Sequence, residues 1–256
     1  MCKAFDFLFL KKYIRKNTQF LAKSRLAQKF LTDKGIKEAN TYTVGVGIDT
    51  QMLSSDKVKC DEPLYQVMKN DLSNLKILYI GRLEERRNIP FIIDVFKKVL
   101  EKNSEARLYM VGTGDKEYLE DIFSYIEKAN VRDKVIWQEK MEQKYLSNIY
   151  QLADFFLLPT KYEIFGMVLM EAMYYNTVVL TTYNGGSSTL IESGKNGFVL
   201  ENNDVEQWVE CIVDVSQNMQ KKNMIQNSAS KTISERYTWD CLADCFIEQY
   251  HKRLEK

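Results

Sequence analysis

From Lys76 onward, short runs of consecutive apolar residues alternate with longer stretches in which apolar positions recur every three or four residues. This is the rhythm of strands and amphipathic helices in a parallel α/β sheet. The runs predict strands at Ile77–Ile80, Arg107–Val111, Val135–Trp137, Phe155–Leu158 and Val178–Thr181. Helices are predicted between them over Ile89–Lys102, Lys116–Ala129, Glu142–Leu152 and Phe165–Tyr174. Phe155-Phe156-Leu157-Leu158 is apolar at every position, as burial on both sheet faces requires. Beyond Val199 the spacing predicts helix to the end of the sequence, with Asp204, Ser228 and Thr238 as helix starters.

Upstream the pattern is weaker. Apolar spacing from Phe5 through Phe30 predicts two helical pieces with a break near Asn17 and Thr18, and Gly35 is a stop for the second. Tyr42-Thr43-Val44 predicts a short strand, and Gly45-Val46-Gly47-Ile48-Asp49 a loop. Residues 50–74 are polar and weakly patterned, which predicts a connector.

Composition narrows the class. The chain has 256 residues, 45% hydrophobic and 12% aromatic, with only 11 Gly and 3 Pro, so a packed globule is expected rather than a disordered or collagenous chain. Five cysteines occur without a CxxC pair, and His251 is the only histidine. A disulfide framework, a zinc ribbon and a multi-His metal site are therefore not expected. No apolar run approaches the roughly 20 residues that span a bilayer, and Met1–Leu10 lacks the features of a secretory signal. The net charge of +1 conceals an asymmetry, because residues 1–37 hold ten basic and two acidic residues. Such a split marks an arm for an anionic surface, or the solvated face of a helix.

In a doubly wound sheet, ligands bind outside the carboxyl ends of the strands. Three loops there carry candidate chemistry. Gly81-Arg82-Leu83-Glu84-Glu85-Arg86-Arg87 leaves the first strand; its glycine lets backbone approach a ligand, and the guanidinium groups of Arg82 and Arg87 suit phosphate oxygens. A charged surface turn, with Glu84 and Glu85 neutralising the arginines, is the alternative. Val111-Gly112-Thr113-Gly114-Asp115 opens a helix, but Glu117 replaces the third glycine of a dinucleotide fingerprint, which disfavours a nicotinamide-dependent oxidoreductase. The third loop, Pro159 to Ile164, leads into Phe165-Gly166-Met167-Val168, and two glutamates, Glu163 and Glu171, stand eight apart. Glu171 lies in an otherwise apolar helix, where an unpartnered carboxylate is costly, and this points to a site. The helix start offers free N–H groups to a phosphate. On one helix the two carboxylates would be about 12 Å apart, beyond the ~5–10 Å of a glycosidase pair.

Taken together, Gly81-Arg82-Leu83 with Arg87, Val111-Gly112-Thr113-Gly114, the Glu163/Glu171 pair and Tyr183-Asn184-Gly185-Gly186 resemble the C-terminal domain of retaining GT-B glycosyltransferases of the family 4 (group 1) type. The resemblance covers about residues 20–256. It implies a fold of class α/β: a Rossmann-like parallel sheet with helices on both faces, the C-terminal lobe of a GT-B fold, plus an N-terminal helical remnant. The implied division is 1–48 as remnant of the acceptor lobe and interdomain loop, 49–74 as connector, 75–238 as nucleotide-sugar-binding domain and 239–256 as a helix crossing back to the acceptor lobe.

The resemblance also implies roles. Arg82 and Arg87, the latter where the family usually has Lys, would hold the donor diphosphate beside Gly81 and Gly112. Glu171 would bind the ribose hydroxyls, and Glu163 would act at the transferred sugar. Backbone N–H groups at Phe165, Gly166, Met167 and Val168 would face the phosphates, and Gln138 to Met141 would lie near the base. No cofactor or metal is implied, since guanidinium groups and a helix dipole stabilise the leaving diphosphate. The expected function is sugar transfer with retention, from a nucleotide-diphosphate donor to a glycan or lipid-linked acceptor, in bacterial surface polysaccharide synthesis. The expected setting is the cytoplasm, with peripheral contact to its membrane face through residues 1–37 and no nucleic-acid partner. Because about 40 residues cannot supply an acceptor lobe, a donor-binding subunit that needs a separate N-lobe partner is the alternative.

Overall fold

A computed structural model describes residues 18–50, 60–201 and 203–254. The basic run up to Arg15 and Lys16, and the helical piece expected around Phe9 and Tyr13, lie outside these residues.

Strand β1 (Phe20–Ala22), helix α1 (Arg25–Asp33) and strand β2 (Thr41–Thr43) form a parallel β-α-β unit, with Leu21 opposite Tyr42. Helix was expected across Phe20 and Leu21; these residues instead pair with β2, because backbone partners 21 residues away prevail over a weak local pattern. Ser24 caps α1 by accepting the Ala27 N–H at 3.1 Å. The helix ends just before Gly35, whose φ of 90° is open to glycine. Within the expected connector lies a further helix, α2 (Pro63–Asn70), with Pro63 in its first turn and Leu64 and Met68 buried.

The main body is a six-stranded, wholly parallel sheet of order β5-β4-β3-β6-β7-β8. Its elements are β3 (Lys76–Ile80), α3 (Ile89–Lys102), β4 (Arg107–Val111), α4 (Lys116–Lys128), β5 (Val135–Gln138), α5 (Gln143–Leu152), β6 (Phe155–Leu158), α6 (Met167–Tyr174), β7 (Val178–Thr181), α7 (Ser187–Leu190) and β8 (Phe198–Val199). The four residues of β6 are wholly buried between helical layers. Three helices follow: α8 (Val205–Gln217), α9 (Met219–Arg236) and α10 (Trp239–Leu254). Asp204 caps α8 through the Gln207 N–H, and Thr238 receives the Cys241 N–H. Ser228 starts no helix; it lies inside α9, whose cap is Asn218 accepting from the Lys221 N–H at 2.9 Å.

The sheet reverses direction of travel between β3 and β6: the chain winds outward through β4 and β5, then returns to the middle and winds the other way. Right-handed crossovers then place helices on opposite faces and leave a crevice at the carboxyl ends of β3 and β6. The β1–β2 unit is joined to this body at two places. Arg25 donates its backbone N–H to Thr189 Oγ1 at 2.9 Å, and Ile48 N–H reaches the Tyr237 carbonyl at 2.8 Å. In the Gly45–Asp49 loop a Cβ on Gly47 would stand 2.6 Å from the Trp239 ring, so the loop lies flat on the start of α10. That helix runs back to β1, and between them Leu21, Phe246, Ile247 and Tyr250 line an apolar groove of about 500 Å³.

Candidate functional site

All three candidate loops meet at the crevice. Glycine at 112 and 114 is required by loop-on-loop contact: a Cβ on Gly112 would lie 1.8 Å from the Gly81 carbonyl, and one on Gly114 2.3 Å from that of Leu83. The same device fastens the Tyr183–Gly186 turn, where Cβ atoms on Gly185 and Gly186 would lie 1.9 and 1.7 Å from the carbonyls of Ile164 and Phe165. These glycines therefore serve close backbone approach between loops, and the sequence pattern reveals them only as turn signals. Gly81 keeps a φ of 152°, and Tyr79, fully buried beneath it, donates its hydroxyl to the Arg82 carbonyl at 2.8 Å.

The post-β3 and post-β6 loops are tied to each other across the switch point. The Arg86 carbonyl accepts the Lys161 N–H at 2.8 Å and the Thr160 hydroxyl at 3.2 Å. Arg86 Nη1 in turn donates to the Tyr162 carbonyl at 3.0 Å. On this frame Arg87 Nη1 donates to Glu163 Oε2 at 2.5 Å; both side chains are nearly buried, 12% and 13% exposed. Glu163 Oε1 also accepts the Ile164 N–H at 3.1 Å. Arg82 projects outward and meets Asp115 at 3.1 Å, with both side chains more than half exposed, a pair worth at most about 1 kcal/mol in water.

Helix α6 begins at Met167 behind Gly166, which has φ 76° and ψ 71°, and no side chain caps its first turn. Its opening N–H groups, those of Met167 and Val168 among them, have no partner within the helix, and the turn at Gly166 stands against Glu163, whose Cγ a Cβ there would approach to 3.1 Å. The left-handed Gly166 lets the chain turn from the loop into the helix without a β-carbon clash. Phe165 is buried beneath this turn, while Met167 is partly exposed.

Glu171 is buried on the inner face of α6. Its Oε2 accepts the Tyr150 hydroxyl at 3.0 Å and its Oε1 the Gln143 amide at 3.5 Å. Burial pushes its carboxyl pKa up, and the two donors hold it down only in part. Tyr150, wholly buried beside that carboxylate, has its own ionisation pushed far up by the same burial. Sequence reasoning missed Tyr150 and Gln143, although their spacing of seven on α5 sets both on one helix face. Gln138 is occupied with structure: its amide spans Glu62 at 2.7 Å and the Leu64 N–H at 3.0 Å, fastening α2 to the end of β5. Trp137 Nε1 donates to the Gly112 carbonyl at 2.8 Å and so supports the Gly112 loop from beneath. Among the described residues no cluster of His, Cys, Asp and Glu could hold a metal ion, and no helix is long and apolar enough to cross a membrane.

Fold and site together define a doubly wound α/β lobe in which guanidinium groups meet Glu163 at the switch point and the helix that follows carries a buried carboxylate. The model of the glycosyl transferases group 1 family matches residues 66–232, and the chain belongs to that family. An uncharacterized glycosyltransferase of Methanocaldococcus jannaschii, MJ1607, is 31% identical over 180 residues, 70% of this chain and 45% of that protein. A probable sucrose-phosphate synthase of Thermosipho melanesiensis is 27% identical over 186 residues, 72% of this chain and 42% of that protein. The chain thus spans less than half the length of these two relatives. Among solved structures, Anabaena HepE in complex with UDP-glucose superposes with a TM-score of 0.77 at 17% identity, covering 98% of this chain and 68% of that chain. The β-α-β unit, the main sheet and α10 therefore all have counterparts in a GT-B fold.

Proposed function

We propose that this chain binds a nucleotide-diphosphate sugar and serves as the donor lobe of a retaining family 4 glycosyltransferase, acting on a glycan or lipid-linked acceptor in bacterial surface polysaccharide synthesis. The observation that carries the reading is the meeting of Arg87 and Glu163 across the switch point, beside the uncapped start of α6, the helix that carries the buried Glu171. A diphosphate fits there: Arg82, exposed, and Arg87 supply cationic donors, and the N–H groups of Met167 and Val168 add a helix N-terminus. These groups neutralise charge as the sugar–phosphate bond breaks, which is stabilisation without a metal. Glu163 then faces the sugar carbon, and Glu171 accepts hydroxyl hydrogens of the ribose in place of the weak Gln143 contact.

Calorimetric titration with UDP-, GDP- and ADP-sugars tests this. One of them should bind, and Arg82→Ala and Glu171→Ala should each weaken it about tenfold or more, the size of one charged hydrogen bond. Failure of all three donors to bind would remove the reading. The cytoplasmic setting, and contact of residues 1–37 with an anionic membrane face, belong to the same proposal; vesicle co-sedimentation should fall as salt rises.

A second reading is favoured by the β1–β2 unit, whose outer residue Leu21 and the α10 residues Ile247 and Tyr250 are exposed along the apolar groove. Parallel strands are ordinarily covered on both faces. In this reading the chain binds donor but turns over only when a separate acceptor-lobe chain docks on that face. Transfer by the purified chain alone would dispose of it.

A further inference from the structure

The post-β3 loop carries a third arginine, Arg86, that the diphosphate reading does not use. Its Nη1 stands 3.7 Å from Glu163 Oε2, the same oxygen that Arg87 holds. Its Nη2 is 2.7 Å from Glu84 Oε1, and that oxygen in turn is 3.7 Å from Arg87 Nε. Arg86, Glu84, Arg87 and Glu163 thus form a closed ring of alternating charge with no net charge. Arg87 is the member turned inward, 12% exposed, whereas Arg86 is 41% exposed and lines a pocket of about 390 Å³ with Lys161, Tyr162, Glu163 and Tyr183.

We propose that Arg86 is a positioning residue for Glu163: it keeps that carboxylate ionised and fixed when a diphosphate draws Arg87 away. This rests on the reading of the crevice as a diphosphate site. A phosphate oxygen competes with Glu163 for Arg87, and a nearly buried carboxylate left without a cation beside a dianion would take up a proton. Arg86 prevents this because three ties keep it in place independently of Arg87: its carbonyl holds Lys161 and Thr160, and its guanidinium holds Tyr162. The other titratable groups facing Glu163 do not replace it. Glu84 is of like charge, the phenols of Tyr162 and Tyr183 supply no cation, and Lys161 makes no ion pair among the described residues.

The test is UDP binding followed by calorimetry in buffers of different ionisation enthalpy, which counts the protons taken up. Arg86→Gln should bind UDP with more proton uptake at pH 6 than the wild type, the contribution of Glu171 being common to both. Its affinity relative to wild type should fall as pH rises from 6 to 8, by up to about tenfold per pH unit, the limit for one linked proton. Arg86→Lys should restore wild-type uptake, and the added change Glu163→Gln should abolish the excess. UDP binding by Arg86→Gln with wild-type uptake and pH dependence would overturn the proposal while leaving the diphosphate reading standing. If the wild type binds none of UDP, GDP and ADP, the diphosphate reading itself falls and this inference with it.

Discussion

Glu163 and Glu171 stand eight residues apart and are accommodated by different physics. Glu163 lies on a loop, where Arg87 and Arg86 neutralise it and the Ile164 N–H adds a third donor. Glu171 lies inside α6, where a phenol and an amide are its only hydrogen-bond partners among the described residues and burial disfavours its charge. The loop carboxylate is paired with two guanidinium groups in the free protein. The helix carboxylate carries an uncompensated desolvation cost, which an arriving pair of hydroxyl donors would relieve. In the proposed reading, this partly satisfied group is where the ribose completes the hydrogen bonding.

Removing the phenol should separate the two most strongly. Tyr150→Phe leaves Glu171 Oε2 buried without its best donor and should cost about 1–3 kcal/mol, read as a lower urea midpoint with unchanged slope. The loss should be larger at neutral pH than at pH 4, where the carboxyl can be protonated. Next in size, Glu171→Gln should be more stable than the wild type. A carboxyl raised in the folded state contributes stability that is fully present below its unfolded value of about 4.5 and is lost as pH rises through the folded value. The gain should therefore be absent near pH 4, grow upward from there and level off near 1 kcal/mol, about the worth of one hydrogen bond. The same substitution at Glu163 should lower stability at neutral pH, and equal signs for the two would break the comparison. The smallest effect is expected at the exposed Arg82–Asp115 pair, where Asp115→Ala should change stability by less than about 0.5 kcal/mol and vanish into the noise in high salt.

How much of this was legible beforehand differs between the same two regions. Strands Arg107–Val111, Phe155–Leu158 and Val178–Thr181 have the boundaries that their apolar runs predict, and Ile89–Lys102 is the helix its spacing predicts. A buried parallel strand needs apolar residues on both faces, so it announces itself without reference to its neighbours. Phe20–Ala22 does not, because its pattern is only half buried and its identity as a strand comes from pairing with Thr41–Thr43. The short helix Pro63–Asn70 escaped for a related reason: only Leu64 and Met68 are buried, two positions that a polar surround conceals. Within the site, Glu171 stood out as a charge in an apolar setting, and Arg82, Arg87 and Glu163 by their places in loops that leave predicted strands. Arg86, Glu84, Tyr150 and Gln143 did not, since charged loop residues and helix polar residues are ordinary until a partner is seen.

The sequence by itself determined the alternation of strands and helices after Lys76, the loops at which a ligand could enter, and the oddity of a carboxylate at position 171. These follow from local periodicity and from the cost of burying a charge, which depend on near neighbours alone. Only the tertiary structure decided that β6 returns beside β3, and hence that Arg87 meets a glutamate 76 residues further on, with Arg86 beside it. Strand order in a parallel sheet is set by crossovers and by packing across the whole body, and no window along the chain carries that information.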